Sequence, residues 1–245
     1  MGDELWVVMP VYNEGPAVEV ALREWMPAVR VAVPHATFCV VDDGSTDETP
    51  AVLTRLAGEL PALRVVRQPN AGHGQACVAG YRAALGGGAR WVLQVDSDGQ
   101  CDARHFADLW AARHDAPAVL GRRRRRGDGL ARTLVSRALA LVVCAAIGRR
   151  VHDANSPYRL MRADVLAAAL PRIPPDVYLT NVLLAVDLAA HAGIRWVDVG
   201  FRARMRTAAL RPRYFLTQAR GLWRDLRRYR RSEARRAGSP GSRDS

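Results

Sequence analysis

Four short apolar runs, each leaving into a polar or acidic turn and then a helical stretch, most constrain how this 245-residue chain can fold. They are Leu5–Met9, Thr37–Val41, Leu63–Val66 and Arg90–Val95. Short apolar runs bounded by turn signals read as buried strands. Pro16 suits the first turn of a helix reaching about Val31, and Asp47 can cap a helix from about Glu48 to Leu60. The loop at 69–74 leads into a third helix that ends at Gly86–Gly88. This alternation predicts an α/β fold, a mostly parallel, doubly wound sheet with helices on both faces. Such sheets bind ligands outside the carboxyl ends of their strands. The exits at 10–14, 42–47, 69–74 and 96–100 are therefore predicted to converge on one crevice.

The last exit, Asp96-Ser97-Asp98-Gly99-Gln100, carries the most chemistry. Two carboxylates one residue apart share a face of an extended segment, and the Gly99 turn can bring Gln100 back to the same centre. Mg2+ and Mn2+ take oxygen ligands and bind phosphate-bearing substrates through one or two carboxylates. Taken alone, the stretch serves equally well as an acidic turn. Asp42-Asp43-Gly44-Ser45-Thr46-Asp47 is also a good turn and helix cap, and Gly72-His73-Gly74 reads as a flexible elbow. No GxxxxGK[ST] loop, no GxGxxG after the first strand and no GxSxG elbow occurs, which disfavours P-loop, dinucleotide-binding and α/β-hydrolase chemistry.

Charge divides the chain. The net charge is +12, but residues 202–245 hold 14 Arg against Asp225, Glu233 and Asp244, so this end carries +11 and the first 201 residues +1. All the basic residues are Arg, a bias of genome composition more than of chemistry. Phe215, Ala219, Leu222, Trp223, Leu226 and Tyr229 recur at helical spacing between arginines, which predicts a basic amphipathic helix suited either to an anionic membrane surface or to packing on the domain. The expected organisation is a catalytic domain over 1–211, this helix over 212–236 and a disordered Gly/Ser/Pro-rich tail over 237–245. No apolar run reaches the roughly 20 residues of a membrane span; the longest, Ala138–Ile147, reads as a buried or interfacial helix. The N-terminus has neither a signal-peptide pattern nor a myristoylation motif. Cys39, Cys77, Cys101 and Cys144 are far apart, without metal spacing, and fit buried thiols in a reducing compartment.

Four motifs in order and in register, Pro10-Val-Tyr-Asn-Glu14, Asp42-Asp-Gly-Ser-Thr-Asp47, Asn70-Ala-Gly-His-Gly-Gln75 and Asp96-Ser-Asp-Gly-Gln100, resemble those of family-two glycosyltransferases of the GT-A fold. Within them the chain is most similar to dolichyl- or polyprenyl-phosphate mannosyl- and glucosyltransferases. The resemblance implies inverting transfer of a hexose from a nucleotide-diphosphate sugar. Pro10, Tyr12, Glu14 and Asp43 match positions that hold base and ribose, with Asp42 beside them, and Gly72, Gln75 and Ser97 fall in the donor-binding motifs. Asp96 and Asp98 match the DxD pair, and Gln100 a further ligand of Mg2+ or Mn2+. Gly121-Arg122-Arg123 and Arg132-Thr-Leu-Val-Ser136 resemble the segments that bind the acceptor phosphate, implicating Arg123, Arg132 and Ser136. Arg124–Arg126 read as a solvated charge run. Asp153-Ala-Asn-Ser-Pro-Tyr-Arg159 resembles the family's Asp-x-x-Ser-Gly-Phe-Arg, with Pro157 for Gly and Tyr158 for Phe; Asp153 matches the residue beside the acceptor. Arg206 matches the Arg of a segment that closes over the diphosphate, although Ala209, Leu210 and Arg211 depart from the family's Gly, Ser and Lys.

The predicted protein is thus a metal-dependent glycosyltransferase of the cytoplasmic membrane face, peripheral and without a nucleic-acid partner. Its acceptor is a lipid-linked phosphate or, alternatively, a saccharide or other hydroxyl. A basic nucleic-acid-binding module would account for the arginines but not for the acidic residues at the strand exits, which repel phosphate unless a cation is bound. A member of the family that has lost catalysis is disfavoured by the intact pair of aspartates.

Overall fold

A computed structural model describes residues 4–123, 151, 153–175, 177, 179–202, 221 and 223–232. The strands are β1 (Leu5–Val11), β2 (Thr37–Asp42), β3 (Leu63–Arg67), β4 (Trp91–Gln94), β5 (Ala118–Arg123), β6 (Arg159–Arg162) and β7 (Arg195–Val199). They form one sheet in the order β3-β2-β1-β4-β6-β5-β7. Every pairing is parallel except those of β6, which runs antiparallel to both β4 and β5. The mostly parallel sheet agrees with the alternation in the sequence. The reversed strand was not foreseen: Arg159-Leu-Met-Arg162 is four residues long with a charge at each end, so it lacks a strand's apolar signature.

Period-two alternation sorts the strand residues into two layers. Val7, Met9, Phe38, Val40 and Leu93 face one core. Val8, Cys39, Val41 and Val92 face the other. The first is covered by α1 (Ala17–Arg30), α2 (Thr49–Glu59) and α4 (Phe106–Ala111). In α1 the buried Val18, Ala21, Leu22, Trp25, Met26 and Val29 form one apolar stripe. The second core lies under α3 (His73–Gly86), α5 (Ala163–Ala169) and α6 (Thr180–His191). Gly80 lets α3 sit close on the sheet, since a Cβ there would lie 2.3 Å from Val8 Cγ1. α2 begins at Thr49, one residue later than expected, so Glu48 is its N-cap residue and makes no side-chain cap bond; Asp47, one residue before it, accepts from Thr49 N at 2.9 Å through Oδ1.

Residues 223–232 form a further helix, α7. Leu226 and Tyr229 enter the second core, whereas Trp223 is 48% exposed. The Tyr229 hydroxyl donates to Asp187 Oδ1 of α6 at 2.8 Å, and Arg172 engages the same buried carboxylate through Nε at 2.7 Å and Nη2 at 2.6 Å. The apolar stripe read from the sequence therefore packs on the domain here, and Arg224, Arg227, Arg228, Arg230 and Arg231 face outward. Cys39, Cys77 and Cys101 are buried free thiols. Among the described residues, no helix is long and apolar enough to cross a membrane.

Candidate active site

The four strand exits meet in a crevice of about 370 Å³. β1 contributes Pro10, Val11, Tyr12 and Glu14; β2 contributes Asp43; the turn into α3 contributes Asn70, Gly72, His73 and Ala76; β4 contributes Asp96, Ser97 and Asp98. The convergence predicted from the doubly wound pattern is therefore present.

Backbone-to-side-chain bonds weld the exits to one another. Asn13 takes a left-handed φ of 53°; its amide donates to Ser45 Oγ at 2.9 Å, and its Oδ1 accepts from Thr46 N at 2.8 Å. Thr49 Oγ1 accepts from Glu14 N at 3.0 Å and Gly15 N at 2.7 Å. Gly44 has φ +75°, and a Cβ there would sit 2.6 Å from Asn70 N, so only glycine lets the second and third exits touch. The Ser97 hydroxyl donates to Pro10 O at 3.2 Å, joining the fourth exit to the first.

The paired Asp42 and Asp43 play different parts. Asp42 is fully buried and outside the crevice; Oδ1 accepts from Ser45 N at 2.9 Å. Arg67 Nε lies 3.2 Å from its Oδ2 but is not aligned for a hydrogen bond. Asp43 faces the crevice. It accepts from Gln68 Nε2 at 2.7 Å, Ala71 N at 3.0 Å and Gly72 N at 2.8 Å, gripping the loop that opens α3. Tyr12 stands 47% exposed at the rim.

His73 is no flexible elbow. Its Nε2 lies 2.9 Å from Asp96 Oδ1 and its Nδ1 3.8 Å from Cys77 Sγ. Charge on Cys77 first, and on Asp96 after it, pushes the imidazole up to about 11. Buried Gln94 donates to the same Oδ1 at 3.0 Å. Asp98 Oδ1 accepts from Gln100 N at 3.1 Å. The imidazole and Gln94 are not in the predicted site: His73 stands inside the Asn70–Gln75 motif but reaches Asp96 only through the fold, and Gln94, at the end of β4, is two residues from Asp96 and carries no motif signal.

The donor set fits a divalent cation. Glu14, Asp43, Asp96 and Asp98 against the single imidazole of His73 leave the lining net negative, which repels a diphosphate unless a cation intervenes. Among the described residues no three His, Cys, Asp or Glu cluster as a ready-made metal cage. Two carboxylates completed by water and substrate phosphate oxygens is the usual arrangement for Mg2+. The α3 amino terminus adds positive dipole from the same side. Gln75 and Gln100 do not line the crevice.

The acceptor side is less complete. Asp153 opens a turn that leads into β6, whose first residue, Arg159, pairs with Gln94, so the turn ends beside the Asp96 exit. The chain beyond β7 also passes this place: Arg202 N donates to Gln100 O at 3.0 Å, and Cys101 bridges Phe201. The Arg202 guanidinium is held by Glu24 at 2.7 and 2.8 Å. The side chain of Arg123 and the whole of Arg132, Ser136 and Arg206 lie outside the described residues.

Residues 6–167 match the sequence profile described as Glycosyl transferase family 2. Undecaprenyl-phosphate mannosyltransferase of Micrococcus luteus is 32% identical over 167 residues, 66% of this chain and 67% of that one. Dodecaprenyl-phosphate galacturonate synthase of Rhizobium johnstonii is 32% identical over 169 residues, 66% and 49% of the two chains. The match thus spans only about half the length of several curated relatives. Glucosyl-3-phosphoglycerate synthase of Mycobacterium tuberculosis superposes with a TM-score of 0.64 at 23% identity, covering 98% of this chain and 82% of that one. This likeness establishes the GT-A fold. A crystal structure of that enzyme holds Mn2+, UDP and glucosyl-3-phosphoglycerate.

Proposed function

This chain belongs to glycosyl transferase family 2, and from that premise we propose that it moves a hexose from a nucleotide-diphosphate sugar to a polyprenyl phosphate with inversion. The observation that carries the donor half is the convergence of Tyr12, Glu14, Asp43, Asp96 and Asp98 on one crevice. The acceptor half is supported by relatives named for undecaprenyl and dodecaprenyl phosphate.

Pro10, Tyr12, Glu14 and Asp43 hold the base and ribose, and Asp43 also keeps the Gly72 loop in place. Asp96 and Asp98 hold Mg2+ or Mn2+, with Gln100 behind them. When bound, the cation neutralises charge on the departing diphosphate. A phosphate oxygen of the acceptor forms the new bond to the anomeric carbon as the bond to the diphosphate breaks and its electron pair leaves with the nucleotide. Such a nucleophile is already ionised near neutral pH, so Asp153 is needed to orient it more than to deprotonate it. Arg123, Arg132 and Ser136 bind the acceptor phosphate, because guanidinium groups engage two oxygens at once. Arg206 reaches the diphosphate from the segment that departs beside Gln100. The outward arginines of α7 and exposed Trp223 suit a peripheral seat on an anionic membrane at its inner face.

A second reading is transfer to a hydroxyl, because Pro157 in place of the family's glycine changes the backbone of the acceptor-side turn and leaves either acceptor open. It would make Asp153 the base. Release of nucleoside diphosphate, measured over a panel of nucleotide-sugars with polyprenyl phosphate or hydroxyl acceptors, separates the two. With the productive pair and Mn2+, Asp98→Ala should lose about 100-fold or more in rate. Full activity in that variant would sink the metal assignment.

A further inference from the structure

Arg159 is fully buried, and among the described residues it makes no ion pair. Its guanidinium donates only to main-chain carbonyls: Nε to Ser156 O at 2.7 Å, Nη2 to Ala154 O at 2.6 Å and Nη1 to Asn181 O at 2.7 Å. Burying a cation is costly, and an apolar side chain of similar volume would ordinarily be the more stable choice. Three carbonyls from two separate segments explain the guanidinium. Its donors form a rigid planar fork, and no other side chain can satisfy all three at once.

Those segments flank the site. Ala154 and Ser156 belong to the turn opened by Asp153, whose carbonyl accepts from Ser156 N at 3.0 Å. The far end of the turn is fixed by Tyr158, whose hydroxyl donates to Asp102 O at 3.1 Å and whose ring packs on Trp25. Asn181 lies in the first turn of α6. The neighbouring Thr180 abuts Gly74 so tightly that a Cβ at Gly74 would sit 2.5 Å from Thr180 Oγ1. Gly74 follows His73, which lines the donor crevice and touches Asp96. One side chain therefore connects the Asp153 turn, through the start of α6, to the wall of the crevice.

We propose that Arg159 is a positioning residue for sugar transfer, holding the acceptor-side Asp153 turn in register with the donor crevice. The proposal rests on the assignment of Asp153 to the acceptor. Arg159→Lys keeps the charge, but a single ammonium nitrogen cannot reach all three carbonyls; Arg159→Met removes charge and donors together. With the productive donor and acceptor, kcat should fall about 10- to 100-fold in Arg159→Lys, while the Kd for nucleoside diphosphate with Mn2+ stays within about threefold. Placed on Asp153→Asn, the lysine variant should cost less than about threefold more, because two residues acting as one unit are not additive.

A kcat for Arg159→Lys within twofold of wild type, or a full multiplicative loss on Asp153→Asn, overturns the proposal. So does a nucleotide Kd that weakens in step with kcat, which would mark a general structural role. If Arg159→Met does not fold, the lysine variant alone decides. If the wild type turns over no donor and acceptor pair, the proposed function has failed by itself. Hydrogen exchange then decides the clamp: Arg159→Lys must speed exchange at Ser156 and Tyr158 by about 10-fold or more, with β1 and α1 unchanged. Unaltered protection in the turn would refute it.

Discussion

Replacing Gly44 by alanine tests the welding of the donor wall with a single methyl group. Gly44 holds φ +75°, where an L-residue costs about 1–2 kcal/mol. The added Cβ also meets Asn70 N at 2.6 Å, Gln68 O at 3.2 Å and Asn70 Cα at 3.3 Å. The obstacle is backbone on every side, so it cannot turn away as a flexible side chain would, and overpacking of this kind adds about 1–3 kcal/mol. Together the two effects predict a loss of about 2–5 kcal/mol, and at about 2–4 °C per kcal/mol a fall in Tm of about 4–20 °C. The displaced Asn70–Gly72 loop lines the crevice, so affinity for nucleoside diphosphate with Mn2+ should fall by about tenfold or more. Gly58→Ala is the matched control. Gly58 is exposed in α2, with nothing within 4 Å of an added Cβ, and the change should stabilise by about 0.5–1 kcal/mol without touching nucleotide affinity. Thermal unfolding and calorimetric titration read both. A Gly44→Ala protein as stable and as tight-binding as wild type would mean that the second and third exits do not meet as described.

Further outcomes follow from other contacts. The Arg104 guanidinium, and after it the charge of Arg202, hold the Asp102 carboxyl well below the usual carboxylate range. A folded pKa below the unfolded one gives stability that is complete above about pH 4 and is lost as pH falls through the folded value. Asp102→Asn should therefore flatten the acid limb of a Tm-versus-pH curve below about pH 4; an unchanged limb would remove Asp102 as its source. Tyr229→Phe deletes a donor to the buried Asp187 carboxylate and should cost about 1.5–3 kcal/mol. If α7 presents its arginines to anionic lipid from a fixed seat, the same variant should raise hydrogen exchange across 223–232 and weaken co-sedimentation with anionic vesicles. Unchanged exchange there would show that the hydroxyl does not hold the helix.

Much of the donor side could be read directly from residue order. Strand, polar or acidic exit and helix recur locally, and a parallel sheet brings all such exits to one edge, which by itself groups Tyr12, Asp43, Asp96 and Asp98. Local order could not separate Asp42 from Asp43. They are adjacent and chemically identical, and only the path of the turn buries one beneath Ser45 while aiming the other at the Gly72 loop. The antiparallel β6 was hidden for a related reason. Arg162 is exposed, but Arg159 also looks like a surface residue until β4 and β5 close over it and the carbonyls of Ala154, Ser156 and Asn181 take up its donors.

His73, Gln94 and Arg159 share that history. His73 reaches Asp96 from another element and Arg159 reaches Asn181 on α6, at separations where sequence spacing carries no geometric information, whereas Gln94 stands only two residues before Asp96 and has its role set by burial. The sequence by itself determined the fold class, the edge of the sheet where the strand exits meet and the residue types that line the crevice, because these follow from periodicity and from charge at strand ends. Tertiary structure alone decided which carboxylate faces the crevice, that His73 backs Asp96 and what holds the Asp153 turn. Those properties depend on burial and on hydrogen-bond partners, and neither exists until the layers have packed.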